Sequence, residues 1–273
     1  MADIKKLLEQ MTIDEKIGQL VQYNANVMMD TSADVTGPRL KSGLSDEQIN
    51  NIGSVLNFKT PLEVRAIQDK HLENDPHKIP MLFMMDVIHG FRTIFPIPLG
   101  LGCTFNPDLV GEAMKMSAKE AVAGGVQVTF TPMVDYVRDA RWGRVMETCG
   151  EDVLLNSVMG AAQVKAFQGD GDYANNKEIM ATCVKHFAAY GGAESGRDYN
   201  SVEISERTLR QFYLSPYKAC IDAGVKLLMP SFNNLNGVPS TANSFLMKKI
   251  LKEEWGYEGT VISDWAAISE LCV

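Results

Sequence analysis

No run of residues in this chain is apolar for long enough to cross a bilayer. The first residues, Met1-Ala-Asp-Ile-Lys-Lys6, lead into an amphipathic pattern and not into a basic start followed by an apolar block. A membrane partner is therefore not expected, and the sequence reads as cytoplasmic. Positive charge is also in short supply: 26 Lys and Arg stand against 34 Asp and Glu, a formal net charge of -8. That balance leaves no electrostatic footprint for nucleic acid or anionic lipid, and it favours a neutral small molecule as partner. The five cysteines (Cys103, Cys149, Cys183, Cys220, Cys272) are odd in number, far apart and without a C-x-x-C pair. Neither a disulfide framework nor a zinc knuckle follows, and they are expected to be small buried hydrophobes. The four histidines show no His-x-His or H-E-x-x-H spacing, so no metal and no cofactor is expected.

The composition, 45% hydrophobic and 22% charged, is that of one large α/β domain spanning residues 1–273. Thr12-Ile-Asp-Glu15 offers a capping box between two short opening helices, and residues 30–44 read as a loop. From there strand and helix patterns alternate. Strands are expected over residues 52–57, 81–85, 95–102, 126–133, 179–186, 225–229 and 260–262, with helices between them and no run of consecutive hairpins. Such alternation predicts a parallel sheet. Polar residues fall at the C-terminal ends of several different strands, which favours a closed barrel over a doubly wound sheet, because a barrel mouth gathers residues from all around. The strand count stops at seven and little chain follows residue 264, so the fold expected is a TIM-type (β/α) barrel, incomplete at its C-terminal end.

At the expected mouth lie Asp86, Arg144, Lys185, His186, Arg197, Met229 and Asp264, with Trp142 and Trp265 beside them. A sugar ring calls for such a set: charged donors and a carboxylate for its hydroxyls, and an aromatic face for its C–H side. The glycine-rich loop over residues 191–196 offers too little else to suggest a phosphate site. Asp264, just past a short β-branched run, is the candidate nucleophile. Each residue also has a plain structural alternative. Asp264 and Asp86 could cap the helices that follow them, His186 and His89 could be core histidines, and Arg144 could pair with Glu147 or Glu151.

Six motifs occur in order: residues 81–90 (MLFMMDVIHG), 138–144 (RDARWGR), 150–152 (GED), 184–187 (VKHF), 196–200 (GRDYN) and 262–265 (ISDW). Together they resemble the N-terminal domain of glycoside hydrolase family 3, in its bacterial β-glucosidase branch. The resemblance implies that Asp264 is the nucleophile of a retaining hydrolysis of terminal β-D-glucosides. It also implies that Asp86, Arg144, Lys185, His186 and Arg197 hold sugar hydroxyls, with Met229 and Trp265 lining the site. Lys185 and Arg144 would keep the Asp264 pKa low.

Three departures qualify it. Phe232 stands where relatives carry a tyrosine whose hydroxyl reaches the nucleophile. No Gly-His-Gly follows Lys185-His186, which disfavours the N-acetylglucosaminidase branch. The acid/base glutamate of the glucosidase branch belongs to a C-terminal α/β domain absent here, and Glu194 and Asp198 are the only local substitutes in view. The chain alone is therefore expected to be poorly active until that domain or a second chain is supplied. The alternatives are a non-catalytic sugar-binding or interaction domain, or a fragment that associates into a homo-oligomer through an unpaired edge.

Overall fold

The computed structural model describes residues 3–29 and 43–271. The loop expected over residues 30–44 falls outside these except for its last two residues, as does Cys272. The chain forms two compact units, one made of Met1–Met85 with Ala123–Val128 and the other of Asp86–Val122 with Thr129–Val273.

In the first unit, Thr12 and Glu15 form the expected capping box at the start of the helix Ile13–Gln19, with Thr12 N donating to Glu15 Oε2 at 2.7 Å and Glu15 N to Thr12 Oγ1 at 3.2 Å. Strands β1 (Gln22–Asn24), β2 (Ser54–Leu56) and β3 (Leu82–Met85) pair in parallel. Thr60 caps the helix Pro61–Asn74 between the last two, and Pro61 occupies the first turn, where no backbone donor is needed. β2 is buried along its whole length, while β3 alternates an exposed Leu82 with a fully buried Phe83 that meets Phe58 edge-on at 5.7 Å.

The second unit carries the rest of the β/α alternation. Strands β5 (Ala181–Phe187), β6 (Leu227–Pro230) and β9 (Thr260–Val261) run parallel. Between them lie the helix Ser215–Asp222, following a wide turn over Leu209–Tyr213, and the helical segment Phe245–Glu254. Buried Gln168, at the end of the helix Val153–Gln168, ties two strand entrances together: its Oε1 accepts from Thr182 N and Oγ1 and from Lys226 N, and its Nε2 donates to the Gly224 carbonyl at 2.8 Å. With β4 (Val128–Thr129), the hydrogen-bonded order is β1-β2-β3-β4-β5-β6-β9. This sequential, parallel α/β topology is that of an incomplete TIM-type barrel.

Some expectations are corrected. Residues 95–102 contain no strand; instead Pro98 opens a short helix, Pro98–Gly102, since the two prolines at 96 and 98 cannot donate to a sheet ladder. The strand that takes its place in the count is β1, three half-buried residues with no apolar alternation to reveal it. A small hairpin, β7 (Asn234–Leu235) and β8 (Val238–Pro239), was not expected either. Its turn is Asn236-Gly237, both at positive φ (49° and 80°), a pairing that favours two-residue hairpins and was legible in the sequence. Cys149, Cys183 and Cys220 are buried as expected, but Cys103 is exposed.

Phe83 and Leu82 provide a test of β3. Phe83→Ala should cost about 3–5 kcal/mol in denaturant unfolding, while Leu82→Ala, on the exposed face, should cost less than about 1 kcal/mol. Equal losses would mean that the strand faces are wrongly placed.

Candidate active site

The site is built on β5. Along a regular strand Lys185 and His186 would point to opposite faces. Here the pairing with β6 slips, with Lys185 opposite Met229 and Phe187 opposite Pro230. This irregularity of the bulge kind re-aims side chains at the strand end. Lys185 Nζ, buried, donates to Asp86 Oδ1 at 2.6 Å, while Asp86 itself is about half exposed. His186 Nε2 lies 3.5 Å from Asp264 Oδ2, close but without a formed hydrogen bond.

Behind His186 stands a residue that sequence reasoning passed over. Asp135 is fully buried, accepts from the His186 backbone N–H at 3.0 Å and lies 2.9 Å from His186 Nδ1. Tyr217, also buried, sets its hydroxyl 2.8 Å from Asp135 Oδ1 and 2.6 Å from the His186 carbonyl oxygen. Burial, opposed by the Tyr217 and His186 hydrogen bonds, lifts the Asp135 carboxyl to about 6. An aspartate at the end of an alternating strand-like stretch, residues 126–134, is the available signal; its role depends on a partner 51 residues away.

Asp264 follows β9. Its Oδ1 accepts from Trp265 N at 2.6 Å, and its Oδ2 is buried without a hydrogen-bond partner. Burial raises the carboxyl to about 6, with Asp86 adding to the rise, against the Trp265 N–H and the positive charges of Lys185 and Arg144. The expectation that those two cations would keep its pKa low is therefore corrected: they act in that direction, but loss of solvent outweighs them. His186 is driven well below its ordinary pKa, first by burial and then by Lys185 and Arg144, so it is neutral.

The remaining candidates are placed less uniformly. Arg144 forks onto Glu147 (2.7 and 3.0 Å) and stacks over Tyr190 at 5.5 Å, so the pairing offered as its plain structural alternative is present, while its charge is still felt at Asp264. Met229 is buried in β6, Phe232 is half-buried against Tyr190 and Tyr199, and Trp265 is 63% exposed. Arg197 is exposed in its loop, held by backbone turns alone. Trp142 is core and no part of a mouth, since it is 1% exposed and donates through Nε1 to Asp198 at 2.9 Å. That bond engages Asp198, and Glu194 sits exposed in a short turn. The glycine loop packs tightly, because a Cβ on Gly191 would overlap the Tyr136 carbonyl oxygen. Among the described residues no cluster of His, Cys, Asp and Glu is arranged to hold a metal ion.

The raised Asp264 pKa makes a stability prediction. Its folded value of about 6 exceeds the ordinary 3.8, so the folded state binds the proton more tightly and the ionised form costs stability above pH 6. Asp264→Asn should therefore stabilise the fold by up to about 3 kcal/mol at pH 8 and by little at pH 4. Melting curves at both pH values check this; equal stability of the two proteins at pH 8 would contradict it.

Residues 12–273 match the family model for the glycosyl hydrolase family 3 N-terminal domain. A periplasmic β-glucosidase of Salmonella typhimurium is 43% identical over 270 residues, covering 99% of this chain and 34% of that protein. A β-xylosidase of Formosa agariphila is 31% identical, covering 96% of this chain and 31% of that protein. The solved β-glucosidase of Listeria innocua in complex with glucose is 47% identical with a TM-score of 0.94, covering 98% of this chain and 38% of its own. The chain thus spans about a third of the length of these relatives. The periplasmic relative leaves the cytoplasmic expectation drawn from the first residues without support, and it is withdrawn. On the family match and these identities, the chain belongs to glycoside hydrolase family 3 and corresponds to its N-terminal domain.

Proposed function

We propose that this chain is the nucleophile-bearing barrel domain of a retaining β-glucosidase, with Asp264 as the nucleophile. The observation that carries the reading is the buried Asp264 carboxylate at a strand end, set among Lys185, Arg144, Asp86 and His186. In this reaction Asp264 attacks the anomeric carbon of a terminal β-D-glucoside and forms a glycosyl ester as the leaving oxygen takes a proton. Water then hydrolyses the ester. The solved Listeria innocua relatives bound to glucose, laminaribiose and isofagomine support glucose as the sugar.

The half-exposed Asp86, charge-paired with Lys185, accepts sugar hydroxyl protons, and its hydrogen bonds tighten as positive charge grows on the ring. Arg144, shared with Glu147, and His186 hold further hydroxyls; Met229, Phe232 and Trp265 line the pocket and Arg197 joins from its loop. Retention requires a second carboxyl about 5–5.5 Å from the nucleophile. Asp198 is engaged by Trp142 and Glu194 lies exposed in a short turn, so the acid/base is assigned to a C-terminal domain or a second chain. The threefold greater length of the relatives supports that source.

An aryl glucoside with a good leaving group bypasses the missing acid. A 2-deoxy-2-fluoro version should label the chain on Asp264, read by mass spectrometry of its peptides, while cellobiose is left intact. Label that persists in Asp264→Asn would sink the assignment. Asp86→Ala should weaken glucose binding at least about tenfold in calorimetric titration, the loss of a charge-assisted hydrogen bond; unchanged affinity would remove Asp86 from the site.

A further inference from the structure

Asp135 takes no part in the chemistry above, yet both of its oxygens are engaged. Its Oδ2 meets both the backbone N–H and the Nδ1 of one residue, His186, and its Oδ1 faces the Tyr217 hydroxyl that also reaches the His186 carbonyl oxygen. A carboxylate oxygen facing a ring nitrogen while accepting a backbone N–H needs a proton on that nitrogen. A neutral imidazole carries only one N–H, and the charges around His186 (Lys185 and Arg144 against Glu147 and Asp86) together with its burial keep it neutral. The other ring nitrogen, Nε2, is then a bare lone pair, and it is the one that points at Asp264 Oδ2 from 3.5 Å.

We infer that Asp135 is a positioning residue: it locks His186 in the Nδ1–H tautomer, so that Nε2 faces Asp264 as an acceptor for a hydroxyl proton of the sugar. The tautomer stands on the hydrogen bonds alone; the sugar hydroxyl rests on the proposed function. The arrangement excludes Nε2–H, which would donate to the nucleophile and blunt it. A purely structural Asp135 would tie the end of β5 to Tyr217 without fixing which ring nitrogen is protonated.

Nitrogen-15 spectra of the histidine-labelled chain at neutral pH decide the tautomer, with His186→Gln identifying the signal among those of His71, His77 and His89. The expected result is His186 protonated on Nδ1 only. Protonation on Nε2, or on both nitrogens, overturns the inference. Asp135→Asn, whose amide oxygen can still accept, should keep the Nδ1–H form, as should Tyr217→Phe. Asp135→Ala should release part of His186 to Nε2–H.

In the same Ala variant, donation from Nε2–H should move the pH midpoint of fluoroglucoside labelling of Asp264 downward by about one unit, a tenfold change in ionisation. A changed tautomer with an unmoved midpoint would overturn the link to Asp264. Absence of labelling in the unmodified chain would count against the proposed function, while the spectra would still decide the tautomer.

Discussion

The site turns on keeping a carboxylate away from water without giving it a full set of donors. Asp264 receives one backbone N–H, from Trp265, and its other oxygen is left bare. A carboxylate so held is destabilised in its ionised form. Its neighbours follow from this. Two cations are needed nearby to keep it ionisable, and each of them needs an anion of its own to be tolerated in a half-buried place: Lys185 has Asp86 and Arg144 has Glu147. The charges form an alternating set in which no member can be removed without leaving another uncompensated.

This pairing has a cost for recognition. The Lys185 ammonium and the Arg144 fork already have partners, so under the proposed function a sugar would join existing hydrogen bonds. Donors pre-held in this way lose little freedom when a ligand arrives, and they favour a ligand that presents hydroxyls, which both donate and accept, over one with acceptors only. His186 is held still more firmly, by a buried acid and a buried phenol that engage both its ring and its backbone.

Much of this was legible in the sequence because it is written locally. The capping box at Thr12, the Pro61 start, the apolar runs of β3, β5 and β6, and the carboxylates just beyond β3 and β9 all declare themselves over a few residues. What escaped detection is written at long range or against the usual pattern. β1 has no alternation, the stretch around Pro96 and Pro98 looked apolar enough for a strand, and Asp135 has meaning only opposite His186. The slip in β5 after Lys185 leaves no mark in the sequence either. The Asp264 pKa escapes the sequence for a related reason: its charged neighbours can be read from motifs, but the extent of its burial cannot.

Every group that shifts Asp264, His186 or Asp135, namely Asp86, Arg144, Glu147, Lys185, Tyr217 and the Trp265 backbone, lies in the same one of the two compact units. A substitution at any one of these groups therefore bears on its neighbours' ionisation as well, and the proton balance of the three side chains is set as a block within that unit.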